Sequence, residues 1–327
     1  MPQLTDEELD RLLYAAAPAR TPRDAKPDAA ALEMLERIMA TPPHPHRTRN
    51  RVLGSLSVAA AVVAAVVVGA NVLVPTGHAE AATPEPLAFS GEATVADTLS
   101  AAQDALASSD GPDAPLRYVR TANWSYNVEV GESSEIMPQV ITLQWDQDQS
   151  GHVTVVDGKP YDPSDAAANA SSEIVSTGEV SNEYVIEPGQ FGTPAVEPFG
   201  ATEEDLRTVL QAFGVPEAAS GFEVMTGVGT IIDQWTLTNA QESSVLGILS
   251  QTDGVTALGT STDRLGRAVS GLRIVSEDGV ASDTVLLSLD TGRIVGVERT
   301  NLIENEVYPV GAIIGYRLFD IDEEIPR

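Results

Sequence analysis

The sequence predicts an α+β protein: one transmembrane helix, then an exported antiparallel sheet with helices packed on one of its faces. Three observations predict it. Residues 52–74 (VLGSLSVAAAVVAAVVVGANVLV) run 23 positions without a charge. Beyond them, period-two segments are joined by short turns of Asp, Gly and Pro, as in antiparallel pairs. Helix-period segments stand apart from those strands in sequence, which separates α+β from alternating α/β. The predicted organisation is a cytoplasmic tail over 1–51, the span over 52–74, a linker over 75–92 and an exported domain over 93–327.

Two helical patterns occupy the tail. Thr5 and Glu8 have capping-box spacing ahead of Leu9, Leu12 and Leu13, an apolar stripe at i, i+3 and i+4. Pro18 and Pro22 end this pattern, and a second runs over about 28–40 with Leu32, Leu35, Ile38 and Met39 on one side. Helices of about three turns bury little by themselves. The stripes therefore either dock on a partner or belong to a tail without stable structure. The spacer Thr41-Pro42-Pro43-His44-Pro45 leads to the membrane, and His44 and His46 are expected to be solvated.

At 1.5 Å per residue the run 52–74 is long enough to cross a hydrocarbon core of about 30 Å. Arg47, Arg49 and Arg51 precede it and the first cation after it is Arg117, so the positive-inside rule leaves the N-terminus in the cytoplasm. Residues 1–51 hold 8 basic and 8 acidic side chains, so the formal charge of −29 falls wholly on the exported side. The localisation expected is the cell membrane, crossed once. A cleaved signal peptide is the rival, because Ala79-Glu80-Ala81 resembles a cleavage site; the 51 preceding residues and the length of the apolar run oppose it. Ala61, Ala65 and Gly69 form a small-residue face suited to helix pairing, although an alanine-rich segment produces such spacing readily.

In the exported part, helices are expected over 95–108, from about 203, and over 238–251, with Thr202 to Asp205 capping the second. Strands are expected over 117–130, 136–145, 152–156, 255–261, 268–275, 284–289, 294–303 and 311–321. The stretch IEPGQFGTPAVEPFG at 186–200 reads as a loop or flap, since proline cannot donate to a ladder. Gly227-Val228-Gly229 lacks the third glycine of a dinucleotide loop and reads as a turn. A sheet with one face covered by helices is expected to enclose an apolar concavity.

Composition excludes several classes. A chain this acidic repels phosphates, so nucleic acid is not an expected partner. The absence of cysteine removes disulfides, thiolate metal sites and cysteine nucleophiles. His78 and His152 have no partner at ligand spacing, Lys159 stands alone, and no nucleophile motif occurs. No enzyme activity and no cofactor are expected. One metal pattern is present: Asp146, Asp148, Ser150 and Asp157 occupy positions 1, 3, 5 and 12 of a calcium loop, with Gly151 at 6. The flanks are strands and position 12 lacks the longer glutamate, so a plain hairpin turn competes with the calcium reading.

The layout resembles a family of actinobacterial single-pass membrane proteins encoded beside extracytoplasmic-function sigma factors. The resemblance is carried by the tail, the Arg-flanked span, and the turns Asp263-Arg-Leu-Gly-Arg267 and Asp290-Thr-Gly-Arg-Ile-Val-Gly296, in that order over nearly the whole chain. It implies an anti-sigma-like protein whose exported part is a half-barrel like those of lipoprotein carriers and periplasmic sigma-factor regulators, which hold lipid or peptide in an apolar groove. Zinc-type anti-sigma factors are ruled out by the missing cysteines. The expected function is a signalling protein. Its outer domain senses an envelope ligand, and its tail (Leu9, Leu12, Leu13, Leu32, Leu35, Ile38) holds a cytoplasmic partner such as a sigma factor. The alternative is a tethered module for lipid, lipoprotein or peptide, with an inert tail.

Overall fold

The computed structural model describes residues 83–125, 136–163, 165, 169, 174, 176–304 and 308–321. The tail stripes, the span with its arginines, His44, His46, His78 and the end of the strand expected over 117–130 lie outside the described residues.

Among the described residues, nine strands and four helices follow one another as α1 (Val95–Ser108), β1 (Tyr118–Ser125), β2 (Gln139–Trp145), β3 (Gly151–Gly158), β4 (Ser176–Ile186), α2 (Glu203–Ala212), α3 (Gly221–Ile232), α4 (Asn239–Leu249), β5 (Val255–Thr262), β6 (Ala268–Val275), β7 (Ala281–Ser288), β8 (Ile294–Asn301) and β9 (Ile313–Leu318). The fold is α+β. All strands belong to one antiparallel sheet in the order β4-β3-β2-β1-β9-β8-β7-β6-β5. One meander walks outward from β1 to the β4 edge. Helices α2–α4 carry the chain to the far edge, and a second meander walks back until β9 pairs with β1, with Ala122 opposite Leu318.

Each helix starts where a side chain can satisfy its free N–H groups. Thr94 accepts from the Asp97 N–H at 3.1 Å. Thr202 with Asp205, Ser220 with Glu223 and Thr238 with Gln241 each form a reciprocal capping box. Here one expectation is corrected: Gly227 and Gly229 lie inside α3, not in a turn. A Cβ on Gly227 would stand 2.3 Å from Val215 Cγ2, so the glycine permits close packing of the helix rather than a bend.

The sheet has a core on each face. On one, Leu143, Trp145, Val153, Val285 and Leu287 meet Leu206, Met225, Val228, Ile231 and Leu246 from the helices. On the other, Trp124, Val140, Leu286, Val295 and Tyr316 cluster, and none of these buried residues comes from α1–α4. Alternation along β7 therefore buries both faces, Leu286 on one side and Val285 with Leu287 on the other. The space expected to be an apolar concavity between helices and sheet is occupied by these packed side chains.

The second face is covered partly by a segment expected to be linker. Leu87 and Phe89 pack on it, and Phe89 lies over Gly271. Ser90 exchanges main-chain bonds of 2.9 and 2.8 Å with Thr260 on the outer side of β5. From residue 83 onward this segment is a strap on the folded unit, seated by Leu87 and Phe89 and tied by main-chain bonds to β5. The rest of the expected linker, 75–82, lies outside the described residues.

Candidate functional site

β2 and β3 meet in a tight turn at one end of the sheet. Asp146 and Ser150 close it through a 2.9 Å main-chain bond, and Gln149 takes φ 61°. Asp148 accepts from the Ser150 N–H at 2.9 Å and the Ser150 hydroxyl at 2.6 Å, which holds its carboxyl below the usual range. Asp157 is not there. It pairs with Gln139 at the other end of the hairpin, six residues along β3 from Gly151 and about 20 Å away at strand rise. The calcium pattern thus does not close: three of its residues make a hairpin turn and the fourth is remote. Among the described residues, no group of three acidic or histidine side chains is arranged to hold a metal.

The flap at 187–200 is fastened over this end of the sheet. Its Gly189 and Phe191 N–H groups donate to the Asp148 and Gln149 carbonyls at 2.8 and 2.9 Å. Phe191 stacks on Trp145 with ring centres 4.7 Å apart, and Phe199 meets Trp235 edge-on at 5.7 Å. Under the flap sits Arg117, its guanidinium 5.1 Å from the Trp145 ring and 5.0 Å from the Trp235 ring. Two indole faces attract a cation without needing its hydrogens. Arg117 Nη2 donates to the Val196 carbonyl of the flap at 2.6 Å, while the flap's Glu197 stands 3.9 Å away. Arg117 Nε, Trp235 Nε1 and Gln234 Oε1 have no hydrogen-bond partner among the described residues. Around the flap a cation, one indole donor and one amide acceptor thus keep bonding capacity, while Trp145 Nε1 already donates to the Gln234 carbonyl at 2.7 Å. No sequence pattern signalled this cluster. Trp145 and Trp235 are 90 positions apart in the chain, and only the fold brings them edge to face at 4.9 Å.

β4 runs directly into the flap and forms an edge of the sheet. Every residue from Thr177 to Val185 is exposed, including Val180, Tyr184 and Val185. Among the described residues nothing pairs with its outer side. His152 of β3 contacts Glu183 of β4 at 3.0 Å, which is a cross-strand contact rather than a metal site. An open cleft of about 490 Å³ lies elsewhere, between the end of α1 and the start of α4, bordered by Leu106, Asp113, Phe199 and Asn239.

Buried charge is concentrated in arginine–carboxylate pairs. Arg264 donates to both Glu298 oxygens at 2.6 and 3.2 Å and stacks on Tyr316 at 4.9 Å. Arg293 holds Glu242 at 2.6 Å and Asp320 at 2.8 Å. Arg299 grips Asp283 through two 2.8 Å bonds, and Arg317 pairs with Asp233. Burial pushes Glu242 up to about 7 and raises Asp233 and Glu298, while the facing arginines pull each back. These groups tie helices and turns to the sheet and do not share a cleft.

No protein-family model matches the chain, and no curated protein does. Solved dehydratase domains from the CurF and CurK modules of Curacin polyketide synthase align at 9% identity. They cover 62% and 69% of this chain and 75% and 80% of their own lengths, with TM-scores of 0.12 and 0.11. Likeness at that level carries neither fold nor chemistry.

Proposed function

We propose that this chain is a single-pass membrane signalling protein. The folded unit over 83–321 faces outward as a half-barrel sensor, and the tail over 1–51 holds a cytoplasmic regulator of the sigma-factor class. One observation carries the reading: 23 uncharged residues at 52–74 separate an Arg-flanked, net-neutral tail from a part that bears the whole charge of −29. Lysine and arginine beside a span set its orientation, and here Arg47, Arg49 and Arg51 stand before it while the next is Arg117. An acidic outer unit is also held off an anionic membrane surface, which leaves its edges accessible. The open sheet with helices on one face supports the half-barrel. Its packed interior, filled by residues such as Leu206, Met225 and Trp235, favours recognition at the rim over lipid held inside.

The test uses the full-length chain in detergent, captured from host membranes together with what it retains from the cytoplasm. Native protein is expected to retain a sigma-class regulator, and the Leu12→Asp/Leu35→Asp variant to lose it. Retention of nothing specific by the native chain would reduce the tail to an anchor. Protease added to intact cells is expected to digest the outer unit and spare the tail; the reverse pattern overturns the orientation.

A further inference from the structure

The two edges of the sheet are treated differently. On β5, the strap exchanges bonds with Thr260, and the Ser261 hydroxyl donates to the Ala88 carbonyl at 2.7 Å. Gly259, at φ +89°, lets the Ser90 carbonyl come so close that a Cβ would stand 2.2 Å from it. That edge is closed. On β4, eleven residues, about 36 Å at strand rise, hold no proline and no lysine, and among the described residues no strap pairs with their outer side. Two bulges, Gly178 at φ +72° and the Gly178 and Glu179 N–H groups bonded to the Ser176 and Thr177 hydroxyls break the start of the strand, so the regular outer row of N–H and C=O groups runs over 182–186. An unblocked row of this kind is a template for strand addition.

Charge selects the occupant. No lysine, arginine or histidine stands between Lys159 and Arg207, while Glu179, Glu183 and Glu187 lie on or beside β4. A second copy of this edge would set glutamates against glutamates, which is unfavourable for directly opposed strands. Glu183 and Val185 share one face of β4, so the segment that fits carries a cation opposite the acid and an apolar side chain opposite the valine on that face, with apolar residues on its other face. We propose that β4 binds an extended basic–apolar peptide segment by antiparallel or parallel strand addition, with Glu179 and Glu183 reading its cations. This names the partner class for the outer unit, and it rests on the sensor reading only for where such a partner is met.

The experiment takes the full-length chain in detergent micelles and a fluorescent, acetylated nine-residue peptide with valine on one face and lysine and valine taking turns on the other. A counterpart with glutamate in place of lysine is the control. Anisotropy is expected to show saturable binding of the lysine peptide, at least tenfold weaker binding of the glutamate peptide, and a tenfold or greater loss in Val180→Lys/Val185→Lys. Both substituted positions are exposed, so the fold is expected to tolerate them. Hydrogen exchange on the native chain needs no variant, and added peptide is expected to slow alternate amides within 176–186. Equal binding of both peptides, undiminished binding by the lysine variant, or protection elsewhere overturns the proposal. So does protection of 176–186 without peptide that grows with protein concentration, because the occupant is then a second copy. Failure here leaves the tail experiment untouched, and loss of tail binding leaves this edge untouched.

Discussion

Arg264 and Glu298 are almost wholly removed from solvent, and neither has water to fall back on. Mutual attraction in the interior offsets the cost of stripping two ions only when both are present and well aligned. The guanidinium also donates to the Glu85 carbonyl at 2.9 Å and lies on the Tyr316 ring, so it joins the strap to the sheet's second face. Arg264→Met is expected to cost about 3–5 kcal/mol, the usual cost of leaving a buried ion alone. Adding Glu298→Met is expected to return most of that loss. Urea unfolding followed by tryptophan fluorescence checks both, and a double variant no better than the single one would refute the pairing. The turn holding Arg264 was readable from sequence, because Asp263 and Gly266 mark it. The inward course of Arg264 was not, since its partner lies 34 residues further on and no periodicity connects them.

Elements followed the same division between local and long-range signals. α1 occupies the expected 95–108, and β6 the expected 268–275, because caps and turn residues next to each element specify its ends. α3 was missed although Ser220 and Glu223 have capping-box spacing and Val224, Val228 and Ile231 recur at helical intervals. Two glycines outweighed those signs, and tertiary packing then overrode their low helix propensity. β4 was missed for another reason. It buries little on either face, so it shows no alternation for a sequence reading to find. The turn between β7 and β8 shows how an element is locked by one residue. Gly292 adopts φ +75°, and a Cβ there would lie 2.0 Å from the Ala102 carbonyl of α1. Gly292→Ala combines left-handed strain of roughly 1–2 kcal/mol with overpacking of about 1–3 kcal/mol. A loss of at least about 2 kcal/mol is expected, with faster amide exchange along α1. An unchanged urea midpoint would show that this turn does not hold the helix.

For the molecule as a whole, charge sets how stability depends on pH. A carboxyl whose folded value is raised binds its proton more tightly when folded. Its contribution is therefore complete below the unfolded value and is lost as pH rises through the folded one. Glu242, raised from 4.5 to about 7, loses on the order of 3 kcal/mol across that window. Asp233 and Glu298 act in the same direction. Asp148, Asp205 and Asp278 act oppositely: their hydrogen-bonded carboxylates are held low, so their contribution is present above 3.8 and fades below it. The formal charge of −29 adds self-repulsion toward neutral pH. Maximum stability is thus expected at mildly acidic pH rather than at neutrality. Salt separates the two causes, because it screens surface repulsion but reaches a buried carboxyl poorly. Unfolding would be followed by fluorescence, since Trp124, Trp145 and Trp235 all belong to the folded unit. Between pH 5 and 8 the urea midpoint is expected to fall, and 0.5 M salt to recover part of the fall. Glu242→Gln keeps an acceptor for the Ile294 N–H and is expected to remove much of the salt-insensitive remainder. If that variant loses the same stability as the native chain from pH 5 to 8, the Arg293 pair keeps Glu242 ionised throughout, and the pH dependence belongs to the surface alone.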